Sequence, residues 1–138
     1  MDQKAKAKVA GGSDSSPTIL VVEDDVLTRV AAGRYLRGCG FAVLEAVNVD
    51  EALALLNSRA LDLVFADVKL PGTRNGADLV RIIQKEHPDV KMLMTSGFTS
   101  VPVMEGIDLL RKPYILRDVE RRKIICGVGR HPTRQVLV

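Results

Sequence analysis

Five short apolar runs, each about the length of a β-strand, alternate along this chain with segments whose apolar residues recur at helical spacing. Continuous apolar runs are typical of parallel strands that helices cover on both faces. The alternation therefore predicts an α/β fold, in which right-handed crossovers connect the strands of a doubly wound parallel sheet. The predicted strands are 19–22, 41–47, 61–66, 90–94 and 107–110.

Four segments carry helix signals. The segment 26–36 ends before two glycines and has apolar residues at helical spacing, namely Leu27, Val30, Ala31 and Tyr35. A helix over 50–58 follows Asn48, whose spacing to Glu51 suggests a capping box. A helix over 77–85 ends before Pro88. The last predicted helix starts near Pro113 and includes Leu116 and Val119.

Composition limits the class of protein. The chain has 138 residues and is 46% hydrophobic, which suffices for one core without disulfide or metal. No apolar run approaches the roughly 18 residues that span a bilayer, and no signal peptide is present. Cys39 and Cys126 have no companions that would suggest a zinc site or a disulfide framework. We therefore expect a soluble, cytoplasmic protein without a membrane partner.

The two ends differ in composition from the middle. We expect a disordered tail over 1–16, one domain over 17–125 and a basic tail over 126–138. Although basic residues cluster at both ends, the net charge of +3 is too small to indicate a nucleic-acid partner by itself.

Polar side chains gather where the predicted strands end. Because the carboxyl ends of parallel strands form one edge, where α/β proteins bind ligands, these groups should lie together. Three crowded carboxylates suit a hard divalent cation such as Mg²⁺, and without a cation at least one carboxyl should titrate abnormally high. The residues at the strand ends are Glu23, Asp24, Asp67, Thr95, Ser96 and Lys112.

This edge cluster suits phosphoryl transfer. With a cation present, Asp67 could act as a carboxylate nucleophile that forms an acyl phosphate. Lys112 would then neutralise the phosphoryl oxygens, and Thr95 would donate a hydrogen bond to them.

Four motifs occur in order at these strand ends: ILVVEDDVLTR, VFADVKLPG, MLMTSGF and LLRKPY. With them, the chain resembles the receiver domains of two-component response regulators from about residue 18 to about residue 125. The resemblance implies a flavodoxin-like sheet of strand order 2-1-3-4-5. It also implies a histidine kinase or histidine phosphotransferase as phosphoryl donor, and a downstream protein that the sequence does not identify.

The resemblance also assigns roles to residues. Asp67 would be phosphorylated, and Ser96 would contact the phosphoryl group. Asp24 would bind Mg²⁺ directly, Glu23 would act through water, and Lys69 would offer its backbone carbonyl; Asp67 completes this metal set. Asp25 becomes a helix-entry residue, where its negative charge meets the positive end of the helix dipole.

Two features depart from the family pattern. Leu109 stands where such domains commonly have an aromatic switch residue. Only the 16 residues of 96–111 separate Thr95 from Lys112, which predicts a short or missing fourth helix between the last two strands. These features are similar to those of receivers associated with hybrid kinases.

Three functions remain open. The first is a stand-alone phosphoacceptor, which is not an enzyme. We expect no attached output domain, because only 13 residues, 126–138, follow the predicted domain. The second is a small phosphatase with an aspartyl nucleophile, although Lys69 stands where such enzymes usually place a second acid. The third is a nucleic-acid binder that uses the basic tail, which the scarcity of aromatics and the absence of a helix-turn-helix pattern disfavour.

Overall fold

The computed structural model describes residues 16–97 and 107–122. The predictions for the N-terminal tail up to residue 15, for a helix between the last two strands and for the C-terminal tail lie outside these ranges. Within them, strands and helices follow in the order β1 (Thr18–Val22), α1 (Val26–Gly38), β2 (Ala42–Ala46), α2 (Val49–Ser58), β3 (Leu63–Asp67), α3 (Gly76–Glu86), β4 (Lys91–Ser96), β5 (Asp108–Arg111) and α4 (Leu116–Arg121).

The strands form one parallel sheet in the order β2-β1-β3-β4-β5, which confirms the predicted fold. Strand β4 extends further than predicted, because Thr95 and Ser96 still pair with β5 and are buried. Asp67 and Thr95 stand opposite each other at the carboxyl edge. The register therefore brings the carboxyl ends of β3 and β4 to the same level.

Successive strand residues point alternately to two apolar layers. One face of the sheet packs with α2 and α3, where Leu56, Leu79 and Ile83 are buried. The other face packs with α1 and α4, where Leu36 and Val119 are buried. The sheet is thus covered on both faces, as its continuous apolar strands predict.

Helix α1 does not bury the residues whose spacing indicated it. Leu27 is 78% exposed and Val30 is 38% exposed, whereas Ala32, Gly33 and Leu36 face the sheet. Gly33 lies close to β2: a Cβ at position 33 would be 2.9 Å from Oε2 of Glu45, a residue of that strand. The helix therefore packs through Leu36 and two small residues and leaves Leu27 and Val30 in solvent.

The helix ends follow the predicted caps with two differences. Asp25 caps α1 as expected, because its Oδ2 accepts a hydrogen bond from the Thr28 N–H at 2.9 Å. At α2, Asn48 accepts from the Glu51 N–H, but the Glu51 carboxylate accepts from the Val47 N–H instead of closing the predicted box. Helix α4 begins at Leu116 and not near Pro113. None of the helices over 16–97 and 107–122 is long and apolar enough to cross a membrane.

Candidate functional site

The carboxyl edge of the sheet brings together the predicted residues of β3, β4 and the loop after β5. The Val68 N–H donates to the Thr95 carbonyl at 2.8 Å, and the Lys112 N–H donates to the Ser96 carbonyl at 2.8 Å. These bonds continue the sheet pattern past the strand ends. Asp67 and Lys112 therefore lie at one level on either side of the end of β4.

Both carboxylate oxygens of Asp67 have a donor. Lys112 Nζ donates to Oδ2 at 2.6 Å, and the Lys69 N–H donates to Oδ1 at 3.0 Å. Asp67 is only 7% exposed, while the Lys69 side chain is exposed. The carboxylate is thus held by an ammonium and a backbone amide at a nearly buried position.

Glu23 is the second carboxylate that lies close to Lys112. Its Oε2 accepts a hydrogen bond from the Asp25 N–H at 3.0 Å, and its Oε1 lies 3.9 Å from Lys112 Nζ. Burial raises the pKa of Glu23; Asp67 and Asp24 add to the rise, and the Asp25 N–H and Lys112 oppose it without cancelling it. The predicted carboxyl with an abnormally high pKa is therefore Glu23.

Lys112 carries the positive charge of this cluster. Burial would lower its pKa, but the hydrogen bond and charge of Asp67, together with the charge of Glu23, raise the pKa above its ordinary value. The ammonium is therefore charged over the whole physiological range of pH. It lies within reach of two carboxylates that would otherwise repel each other.

Strand alternation sorts the remaining predicted residues. Thr95 lies two residues after Leu93 in β4, and Asp67 lies two residues after Phe65 in β3. Because Leu93 and Phe65 face α1 and α4, the side chains of Thr95 and Asp67 are directed to that same face. Ser96 follows Thr95 in β4, so its buried side chain is directed to the face of α2 and α3. A contact between Ser96 and a phosphoryl group stays a prediction. Asp24 is exposed at the start of the loop.

A cleft beneath the cluster was not anticipated from the sequence. It lies between the acidic groups and α1, and Thr28, Ala32 and Tyr114 contribute to its wall. The ring of Tyr114 packs edge-on against Phe65, with 6.2 Å between ring centroids, and burial raises the pKa of its hydroxyl. An aromatic directly after the Lys-Pro pair was the available signal. Leu109, at the usual switch position, is half-buried and packs on the face of α2 and α3.

The side chains of the cluster that could bind a metal ion are carboxylates, which offer oxygen ligands. Across 16–97 and 107–122, no three acidic, histidine or cysteine side chains are close enough together to form a ready metal site. Lys112 Nζ lies 3.9 Å from Glu23 Oε1 and 2.6 Å from Asp67 Oδ2, and Asp24 is exposed. Three carboxylates and one ammonium leave a formal charge of −2, which suits one divalent cation.

The parallel sheet and the acid–lysine cluster at its carboxyl edge define a doubly wound α/β protein with a polar ligand site. A family model described as "Response regulator receiver domain" matches residues 19–126. The chain therefore belongs to the response regulator receiver family, as the four motifs predicted.

Relatives and solved structures agree with this family. The sensor kinase CckA of Brucella abortus is 30% identical over 125 residues, which are 85% of this chain but 13% of that protein. The receiver domain of the hybrid histidine kinase CckA has a TM-score of 0.66 and 30% identity, covering 78% of this chain and 98% of that one. A receiver domain protein from Methanospirillum hungatei has a TM-score of 0.73 and 26% identity, covering 90% and 100%. The predicted likeness to receivers of hybrid kinases is confirmed.

Proposed function

We propose that this chain accepts a phosphoryl group on Asp67 from a histidine kinase or a histidine phosphotransferase, and signals through partner binding or phosphorelay. The observation that carries this proposal is the state of the Asp67 carboxylate. It is nearly buried at the ligand-binding edge and held between Lys112 Nζ at 2.6 Å and the Lys69 N–H at 3.0 Å. In a member of the receiver family, that is the arrangement expected of the phosphoacceptor.

The transfer requires little covalent chemistry from the protein. A carboxylate oxygen of Asp67 attacks the phosphorus of a phosphohistidine, so that a P–O bond forms as the P–N bond breaks. The bonding electron pair returns to the imidazole nitrogen of the donor. Lys112, already paired with Asp67, stabilises the charge that gathers on the phosphoryl oxygens. Thr95, opposite Asp67 in the register, donates a hydrogen bond to one of them.

Mg²⁺ fits the residues present. Asp24, Glu23 and Asp67 supply carboxylate oxygens, and the Lys69 carbonyl completes the oxygen donor set. The ion, when bound, adds positive charge that offsets the negative charge of the phosphoryl group. Burial, with Asp67 and Asp24 nearby, raises the pKa of Glu23, and a bound cation would favour its ionised form.

A phosphatase-like enzyme is the less suitable candidate. Such an enzyme needs an acid near the nucleophile to protonate the leaving group, and position 69 provides a lysine instead. Its side chain is exposed, and only its backbone N–H contacts Asp67 among the bonds described above. We therefore propose that the chain is a phosphoacceptor and not a phosphatase.

Acetyl phosphate with Mg²⁺ tests the proposal directly. Intact-mass measurement should show one added phosphoryl group, sensitive to alkali and hydroxylamine and lost when EDTA removes the cation. Asp67→Asn should abolish this label. Asp25→Asn is the matched control, because asparagine caps a helix about as well as aspartate. Labelling of Asp67→Asn as strong as that of the parent would show that the phosphoacceptor is elsewhere.

A further inference from the structure

One arginine of α1 joins the acidic loop to the edge strand of the sheet. Arg29 Nη1 donates a hydrogen bond to the backbone carbonyl of Glu23 at 2.9 Å, and its Nε donates to Oε1 of Glu45 at 3.2 Å. The Arg29 side chain is 15% exposed. A single rigid guanidinium thus connects the residue before Asp24 with a carboxylate of β2.

The main chain of Glu23 is therefore held at both of its polar groups. Its N–H donates to the Ala46 carbonyl at 3.0 Å, and its carbonyl accepts from Arg29. That carbonyl belongs to the same planar peptide unit as the N–H of Asp24. The direction of the carbonyl consequently sets the direction in which the chain continues to Asp24.

The carboxylate of Glu45, which Arg29 contacts, is also held by a second arginine. Glu45 lies in β2, and it also pairs through Oε2 with Arg37 of α1 at 3.3 Å. It lies beside Gly33, where an added Cβ would be 2.9 Å from Oε2. Two arginines of one helix thus share one carboxylate, but only Arg29 extends to the acidic loop.

We infer that Arg29 is a positioning residue, which holds the Glu23–Asp24 peptide unit so that the acidic pair is ready for a divalent cation. This inference rests on the proposed Mg²⁺-dependent function. Simple electrostatics predicts the opposite effect, because a cationic side chain near the cluster repels Mg²⁺ and its removal alone would strengthen binding. Weaker Mg²⁺ binding without Arg29 therefore indicates positioning, whereas stronger binding indicates that its charge only repels the cation.

Titration calorimetry of the full chain with Mg²⁺ makes the comparison. Arg29→Met should raise the Kd for Mg²⁺ by about tenfold, which corresponds to about 1.4 kcal/mol. Arg37→Met, which removes the same charge and the other partner of Glu45, should change the Kd by no more than about twofold. With acetyl phosphate, the Mg²⁺ concentration for half-maximal labelling should rise for Arg29→Met, while the rate at saturating Mg²⁺ should stay near that of the parent.

Equal or tighter Mg²⁺ binding by Arg29→Met would overturn the inference, as would an equal loss in Arg37→Met. If Arg29→Met does not fold, Arg29→Gln replaces it, and circular dichroism establishes that each variant is folded at the temperature of titration. Failure of the parent to bind Mg²⁺ would instead refute the proposed function. In that case the backbone amide resonance of Asp24 decides: it should shift or broaden in the Arg29 variant and not in Arg37→Met, and an unchanged resonance refutes positioning.

Discussion

Gly76, the first residue of α3, should not tolerate alanine. Its N–H donates to the Val68 carbonyl at 2.8 Å, so the helix start lies directly on the segment that leaves β3. A Cβ at position 76 would lie 2.4 Å from the Asp67 carbonyl oxygen, 2.6 Å from Val68 Cα and 2.7 Å from the Val68 carbonyl oxygen. All three atoms belong to the main chain, so no side chain can rotate to make room.

The size of the effect follows from two opposing terms. Ordinary contact begins near 3.4 Å, so the helix start and the segment after Asp67 must separate by about 1 Å. Such overpacking costs up to about 3 kcal/mol, and replacing glycine by alanine in a helix returns up to about 1 kcal/mol. We expect Gly76→Ala to lower the free energy of unfolding by about 2 kcal/mol, or the Tm by about 8 °C for a domain of this size. Labelling by acetyl phosphate should also slow, because the displaced backbone carries Asp67.

Gly38→Ala is the matched control. Gly38 is the last residue of α1, and beyond the adjacent helix backbone no atom lies within 4 Å of the Cβ that alanine would add. This change should leave the stability unchanged or raise it by about 0.5 kcal/mol. Thermal unfolding followed by circular dichroism measures both variants. If Gly76→Ala unfolds at the parental temperature, or if both variants lose equal stability, close contact with the main chain is not the reason for glycine at position 76.

Two further predictions concern burial. Leu36→Ala should lower the free energy of unfolding in urea by about 2–5 kcal/mol because Leu36 is 0% exposed, whereas Leu27→Ala, at 78% exposure, should stay within about 0.5 kcal/mol; equal losses would contradict the observed orientation of α1. Because burial raises the pKa of Glu23 above 4.5 in the folded state, that carboxyl contributes stability at acidic pH that is lost as pH rises through the raised pKa. Without Mg²⁺, Glu23→Gln should therefore raise the Tm near pH 8 and lose this advantage near pH 4, and a gain that does not depend on pH would refute the assignment.

The fold and the grouping of Asp67 with Lys112 could be predicted from the sequence, because both depend on local patterns. Continuous apolar runs identify strands buried on both faces, and a parallel sheet necessarily places their carboxyl ends at one edge. The polar residues that follow the third and fifth runs include Asp67 and Lys112, which were therefore expected to lie together, and they form an ion pair at 2.6 Å. Position at the edge does not by itself assign a role to Ser96, because adjacent residues of one strand share an edge but not a face.

The buried face of α1 could not be predicted, for a physical reason. Leu27 and Val30 recur at helical spacing, and so do Ala32, Gly33 and Leu36. Hydrophobicity favours the first set, but the folded chain buries the second, and at Gly33 a Cβ would lie 2.9 Å from Oε2 of Glu45. Close approach between elements depends on the shape of the partner, and the periodicity of one helix carries no information about that shape.

The residues that hold the site were hidden for a related reason. Arg29 acts on the carbonyl of Glu23, and Gly76 makes room for the carbonyl of Asp67. Arg29 ends the motif ILVVEDDVLTR and Gly76 stands at a helix start, but the sequence reveals neither role, because a main-chain carbonyl is the same whatever residue carries it. Both residues act on the segments that carry the acidic side chains. Substitutions at these two positions should therefore change metal binding or phosphoryl transfer although no predicted catalytic side chain is itself replaced.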